Sequence, residues 1–263
     1  MEIRTGCSGW SYSQWVGTFY PMGTKTSDYL KIYSRIFDIV EIDSSFYRIP
    51  DPRTVENWFD AVPENFSFTA KMPQTVTHDL RLKNASDEAR KFIDVIAKLG
   101  DKLRAILIQL PPSLTFEEGY KNLKNLIDNL PSGPSYSVEM RHDSWFVDDT
   151  FSMLRERRVG VAWSEIPYAH VPAVVTSDTV YLRFVGDRSI RENEFGKVLK
   201  DRSVEIGSWA RELKKKEDMV KHAFILSNNH FQGFGPATVN LFRKMSGLNT
   251  IDWTTRTGQT TLL

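Results

Sequence analysis

Cysteine is nearly absent: Cys7 is the single one in 263 residues. The chain can form no disulfide within itself, and it cannot supply a thiolate-rich zinc or iron–sulfur site. Such usage fits a reducing compartment, so the expected location is cytoplasmic. Charge of one sign is also lacking. Lys and Arg together number 34 and Asp and Glu 33, a formal net charge of +1. This excludes a strongly basic nucleic-acid binder as a whole-chain property and leaves only local patches. No run approaches the ~18 apolar residues that a membrane span needs. The opening Met1-Glu2-Ile3-Arg4-Thr5 lacks the apolar stretch of a signal peptide. No membrane partner is therefore expected. Linker-like, low-complexity and short repeated segments are missing as well, and one domain over residues 1–263 is expected.

Signature motifs are equally scarce. The five histidines, His78, His142, His170, His222 and His230, form neither H-x-H nor H-E-x-x-H. There is no P-loop. Gly6-Cys7-Ser8-Gly9 lacks the G-x-G-x-x-G spacing of a dinucleotide site and leads into aromatic residues. Cys7 and Ser8 have no identifiable base partner, and Cys7 reads as a small buried residue. The expectation is no cofactor and no metal, with convergence of Glu41, Glu139, His142 and His230 on a divalent ion as the alternative.

What is present is a regular alternation. Hydrophobic residues make up 41% and aromatics 12%, enough to build a core. Short apolar or β-branched runs recur at Ile3–Gly6, Ile39–Asp43, Phe66–Lys71, Ala105–Gln109, Tyr136–Glu139, Gly160–Trp163, Val180–Phe184 and Ala223–Ser227. Each has the length of a buried strand. Segments with helical spacing lie between them. Val55, Trp58, Phe59 and Val62 make one apolar face, entered through Asp51 and Pro52. Ala89, Phe92, Ile93 and Ile96 make another, with Ser86 as the expected N-cap. Tyr120, Leu123, Ile127 and Leu130 make a third, and Pro236 opens a helix expected to bury Val239, Phe242 and Met245. The polar stretch 186–221 reads as a long insertion with a helix whose face is Val204, Trp209, Ala210 and Leu213. Eight strand–helix units of about 33 residues each fit an α/β fold of the TIM-type (β/α)8 barrel class, with an open doubly wound sheet as the rival.

Polar groups cluster at the C-terminal ends of the runs. They are Glu41 and Asp43, Lys71, Gln109, Glu139 and Arg141, Arg183, and Asn228 with Asn229. Residues two apart on a strand share a face, so a barrel would gather these carboxylates and cations at its mouth. A mutually neutralised cluster suits acid–base chemistry or an anionic ligand with donor groups. The plainer alternative is a salt-bridge network that plugs the barrel. Glu41 or Glu139 is expected to act as acid–base. Lys71, expected as a catalytic residue through its charge rather than as a Schiff-base amine, would join Arg141 and Arg183 in neutralising the ligand. Gln109, Asn228 and Asn229 would orient that ligand, and Trp10 or Tyr12 would stack on it. The glycines of 228–236, before a helix, could offer N–H groups to a phosphate.

Several of these segments resemble the domain of unknown function 72 family, also called YecE-like. They are Gly6-Cys7-Ser8-Gly9-Trp10 with Tyr12 and Trp15, Val40-Glu41-Ile42-Asp43-Ser44-Ser45-Phe46-Tyr47, Phe68-Thr69-Ala70-Lys71, and Gln109-Leu110-Pro111-Pro112. Glu139-Met140-Arg141-His142-Asp143-Ser144-Trp145, Tyr181-Leu182-Arg183-Phe184 with Gly186, and Asn228-Asn229-His230 with Gly233 complete the set. The resemblance implies a one-domain TIM-type barrel, similar in outline to xylose-isomerase-like and endonuclease-IV-like barrels, and hence sugar, phosphate or nucleic-acid ligands. The site residues it carries are Glu41, Lys71, Glu139, Arg141, Arg183 and Asn228. The expected partner is a small anionic, phosphorylated, sugar or nucleotide-like ligand. The alternatives are a non-catalytic nucleic-acid-binding module using the aromatic mouth and Lys214–Lys216, and a metal-dependent phosphoesterase.

Overall fold

The eight apolar runs become eight parallel strands in a computed structural model that describes residues 1–254. They are β1 (Glu2–Ser8), β2 (Ile39–Ile42), β3 (Ser67–Lys71), β4 (Leu103–Gln109), β5 (Ser135–Glu139), β6 (Gly160–Glu165), β7 (Thr179–Phe184) and β8 (His222–Ser227). Each pairs with the next, and β1 pairs in parallel with β8, from Glu2 opposite His222 to Cys7 opposite Ser227. The sheet therefore closes and has no free edge. This is a TIM-type barrel, and the open-sheet rival falls.

Alternation along the strands sorts the residues into two cores. Ile39, Ala105, Leu107, Ala162, Tyr181, Phe224 and Leu226 fill the barrel interior. Their outward neighbours join the larger cluster against the helices. Gly6 fixes the closest approach of β1 to β2, because a Cβ there would stand 1.9 Å from the Ile39 carbonyl oxygen. Cys7 is buried beside this seam, and burial pushes its thiol pKa far up.

The helices are α1 (Tyr29–Tyr33), α2 (Pro52–Ala61), α3 (Ser86–Ile96), α4 (Phe116–Asp128), α5 (Asp148–Glu156), α6 (Ser203–Lys215), α7 (Asn229–Gln232) and α8 (Gly235–Met245). Asp51 caps α2 as the sequence predicts, its Oδ1 accepting from the Arg53 N–H at 2.9 Å. Helix α3 starts one residue differently: Ala85 is the cap and Ser86 the first helical residue. Two side chains expected in the core face solvent instead, Val204 on α6 at 77% exposure and Met245 on α8 at 41%.

The strict strand–helix grammar fails once. No helix joins β6 to β7. Pro167 and Pro172 and the β-branched run Val174-Val175-Thr176 disfavour one. An extended segment crosses that side of the barrel instead. Trp163 Nε1 donates to the Val174 carbonyl at 2.9 Å, and the Thr176 hydroxyl bridges the backbone of Val159 and Val161. Among the described residues no helix is long and apolar enough to cross a membrane.

Candidate functional site

The inward positions nearest the C-terminal strand ends are polar, and they form two tiers. The lower tier is a sealed ion network. Glu41 and Glu139 are fully buried, and Arg183 is 2% exposed between them. Arg183 donates from Nη2 to Glu41 Oε1 at 2.6 Å and from Nη1 to Glu139 Oε2 at 2.5 Å. The remaining oxygen of Glu41 accepts from the Tyr181 hydroxyl at 2.6 Å, and that of Glu139 from Arg141 Nε at 2.5 Å. Tyr181 gives its proton to Glu41, so Thr69 must be the donor in the 2.7 Å contact between the two hydroxyls. All four carboxylate oxygens are engaged. Burial works to raise the Glu139 pKa, but Arg141 and Arg183 outweigh it and hold the carboxyl down at about 2. The same carboxylates hold Arg183 protonated against its own burial.

This tier corrects the expected division of labour. Glu41 and Glu139 have no exposed atom, and each of their four carboxylate oxygens already accepts a hydrogen bond from a guanidinium or a hydroxyl. They fix Arg183 and Arg141 in place. The network that sequence reasoning set against a functional pocket exists, but it is the floor of a cavity rather than a plug.

The upper tier lines that cavity, of about 160 Å³. Lys71, Arg141, Arg183 and Arg188 bring cations to its wall, with Asp43, Gln109, Asn228, His230 and Tyr168. Lys71 Nζ lies 3.4 Å from Asp43 Oδ1 and 3.8 Å from the centroid of the Phe46 ring. Burial lowers the Lys71 pKa, Asp43 opposes the shift, and Arg183 adds to it. Asp43 is held below the usual carboxylate range because Lys71 and Arg183 outweigh its burial. Gln109 Nε2 reaches His78 Nε2 and the Leu110 carbonyl only at 3.4 Å. His78 stands on a π-helical turn, Thr75–Asp79, of the kind that often marks functional positions. Burial first, then Lys71 and Arg141, lower its pKa to about 4, so it is neutral at pH 7.

Several expected ligand contacts fall elsewhere. Asn229 is buried outside the cavity, and its Oδ1 accepts from Trp15 Nε1 at 3.2 Å and from the Gly235 N–H at 2.9 Å. It ties the first loop to the last. Trp10 packs edge-on against Trp58, with ring centroids 5.5 Å apart. Tyr12 donates to the Ser8 carbonyl and packs on Trp15. Both rings brace the loops, and the aromatic at the cavity is Tyr168, 47% exposed. The 228–236 segment offers no open phosphate cradle. The N–H groups of His230, Gly233 and Gly235 are bonded within the segment itself. Lys214, Lys215 and Lys216 pair with Glu217 and Glu212 on their own side of the barrel, away from the cavity. Among the described residues no three His, Cys, Asp or Glu side chains come together to hold a metal ion. The expected alternative convergence of Glu41, Glu139, His142 and His230 therefore does not occur.

Sequence reasoning left Tyr168, Asp187 and Arg188 out of the site. They follow β6 and β7 in loops with no periodic pattern, and only their place just after strand ends marks them.

Fold and site together define a TIM-type barrel with a cation-lined cavity at the C-terminal face. The chain belongs to the DUF72 family, described as proteins of unknown function, whose model matches residues 4–260. It is 26% identical to the UPF0759 protein YecE of Escherichia coli (strain K12) over 216 residues, 73% of this chain and 76% of that one. It is 25% identical to the UPF0759 protein YunF of Bacillus subtilis (strain 168), over 88% of this chain and 90% of that one. A DUF72 family protein from Thermotoga maritima MSB8 superposes with a TM-score of 0.78 at 25% identity, covering 93% of this chain and 99% of that one. A Xylose Isomerase domain protein from Alicyclobacillus acidocaldarius, at 13% identity and a TM-score of 0.55 over 94% of this chain and 99% of that one, shares the barrel fold.

Proposed function

We propose that this protein binds a small anionic ligand, a phosphate ester or a carboxylate, in the cavity at the barrel mouth. The observation that carries the reading is the imbalance of the wall. Four cations, Lys71, Arg141, Arg183 and Arg188, line the cavity against two carboxylates, Asp43 and Asp187, and the two buried glutamates beneath are bonded to Arg183 and Arg141. Asp187 is committed as well, to Lys200 at 2.8 Å and to Ser189. Asp43 is the carboxylate left to face a ligand, and it shares Lys71. The nitrogens of Arg188 have no partner among the described residues. An anion entering here meets Lys71 and Arg141 already held in place, by Asp43 and Glu139, which reduces the ordering cost of binding.

Size narrows the ligand. Drug-sized molecules occupy cavities of roughly 300–1,000 Å³, so about 160 Å³ admits a few-carbon anion or the charged end of something larger. Acid–base chemistry on that ligand falls to the upper tier, where Asp43 and His230 line the cavity. Calorimetric titration with glycerol 3-phosphate, and with glycerol as the uncharged control, tests the reading. Binding of the phosphate ester, none of glycerol, and at least tenfold weakening in Lys71→Met and Arg188→Met proteins are expected. Absence of binding by glycerol 3-phosphate and by a panel of small carboxylates at millimolar concentration refutes it.

A further inference from the structure

The cavity wall is rich in hydrogen-bond donors, and its acceptors are fewer: the carboxylates of Asp43, 3.4 Å from Lys71, and of Asp187, bonded to Lys200 and Ser189, and a ring nitrogen of His230. Lysine and arginine carry donors only. Asn228 has given its Oδ1 to the His230 N–H, at 3.0 Å, which leaves its amide N–H groups for the cavity. Gln109 can turn either end of its amide toward a ligand. His230 cannot. Its Nδ1 lies 2.9 Å from the Ile190 carbonyl oxygen. A carbonyl only accepts, so Nδ1 carries the proton. In the neutral ring Nε2 then bears a lone pair. No described residue bonds to that atom, and the ring is half-buried at the cavity wall. Burial, assisted by Arg188 and opposed by the Ile190 bond and by Glu192 and Asp187, keeps the ring's pKa below its ordinary value.

The ring is also held still. Phe195 packs edge-on against it, with centroids 5.0 Å apart. Its backbone is clamped by Gly186, where a Cβ would stand 2.3 Å from the His230 carbonyl oxygen. Gly186 has a φ of +82°, so glycine is needed there for conformation as well as for space. A lone pair of fixed direction in a wall of donors asks the ligand for a donor.

We infer that His230 Nε2 receives a hydroxyl group of the bound ligand, so that the cavity selects hydroxylated anions, such as polyol phosphates, over plain anions of equal charge. The inference rests on the reading of the cavity as an anion site. A ligand without a hydroxyl would strip water from Nε2 and give nothing back, a loss of roughly tenfold in affinity.

The test compares glycerol 3-phosphate with propyl phosphate, which has the same charge and carbon count and no hydroxyl. The wild-type protein is expected to prefer glycerol 3-phosphate about tenfold. His230→Phe is expected to remove that preference, so that the two affinities become equal. His230→Gln, whose Oε1 also accepts, should restore part of it. The ratio of affinities is the readout, because a purely structural role would weaken both ligands together. Equal binding by the wild-type protein overturns this inference and leaves the anion site standing. A preference that survives His230→Phe assigns the hydroxyl to another acceptor and overturns it too. Binding of neither phosphate overturns this inference, and the anion reading falls with it when the small carboxylates also fail to bind.

Discussion

Replacing Glu139 by glutamine keeps the shape of the floor and removes one charge. Each carboxylate oxygen of Glu139 accepts from a different guanidinium, Arg141 Nε on one side and Arg183 Nη1 on the other. In the variant one of these oxygens becomes an N–H₂ donor facing a donor. Two routes give the size of the effect. The Glu139 pKa falls from an ordinary 4.5 to about 2, and the group is fully buried, so solvent does not screen it. At about 1.4 kcal/mol per unit this is linkage worth ~3 kcal/mol. Breaking a buried ion pair from one side costs about 3–5 kcal/mol in general. The two agree on ~3 kcal/mol, or a melting temperature lower by roughly 6–12 °C for a chain of this size. Urea denaturation at pH 7 measures it, with an unchanged slope showing that the same surface is exposed. The sign with pH is fixed. The folded-state pKa is depressed, so the stabilisation is fully present above the unfolded value and is lost as pH falls from 4.5 toward 2. The gap between wild type and Glu139→Gln should therefore close across that window. A difference below ~1 kcal/mol at pH 7, or one that does not shrink in acid, refutes the reasoning.

Three further outcomes follow from the same geometry. Arg183→Met leaves two buried carboxylates facing each other and should cost about 3–5 kcal/mol or prevent folding, read by urea denaturation or by soluble yield. His78→Gln should flatten the rise of stability between pH 4 and 6.5. The unfolded histidine binds a proton in that window and the folded one, with its pKa near 4, does not, so wild-type stability is gained as pH rises and lost as it falls. An identical slope in both proteins counts against a depressed His78. Gly186→Ala forces a side chain into a left-handed backbone and against the His230 carbonyl. A loss of about 1–3 kcal/mol is expected in thermal unfolding, with loss of the hydroxyl preference.

Legibility in the sequence followed periodicity. Strands such as Ala105–Gln109 and Val180–Phe184 stand out because a strand buried on both faces is continuously apolar, and their observed limits differ by only one or two residues. The polar interruptions within that pattern, Glu41, Lys71, Glu139 and Arg183, pointed to the end of the barrel where the cavity lies. Their roles were not legible, because a pair spacing of two says which face a carboxylate shares and not whether its oxygens are already taken. Glu41 and Asp43 show the difference. They share a face, yet one is sealed beneath the cavity and the other opens onto it. The loop residues were harder still. The fixed tautomer of His230 depends on Ile190, forty residues away, and no local pattern encodes it.

The closed barrel also sets an order of assembly. Strand β1 is the first of the eight strands to be made and its partner β8 the eighth, and the six register pairs between them span some 220 residues of chain. Glu41 and Glu139 leave the ribosome long before Arg183, on β7, their shared counter-ion. Until that strand docks, moving either carboxylate out of water is unfavourable, so the half-made sheet is discouraged from closing on itself prematurely. The same three side chains that make the floor of the cavity thus favour closure of the barrel with its seventh strand in place over closure without it.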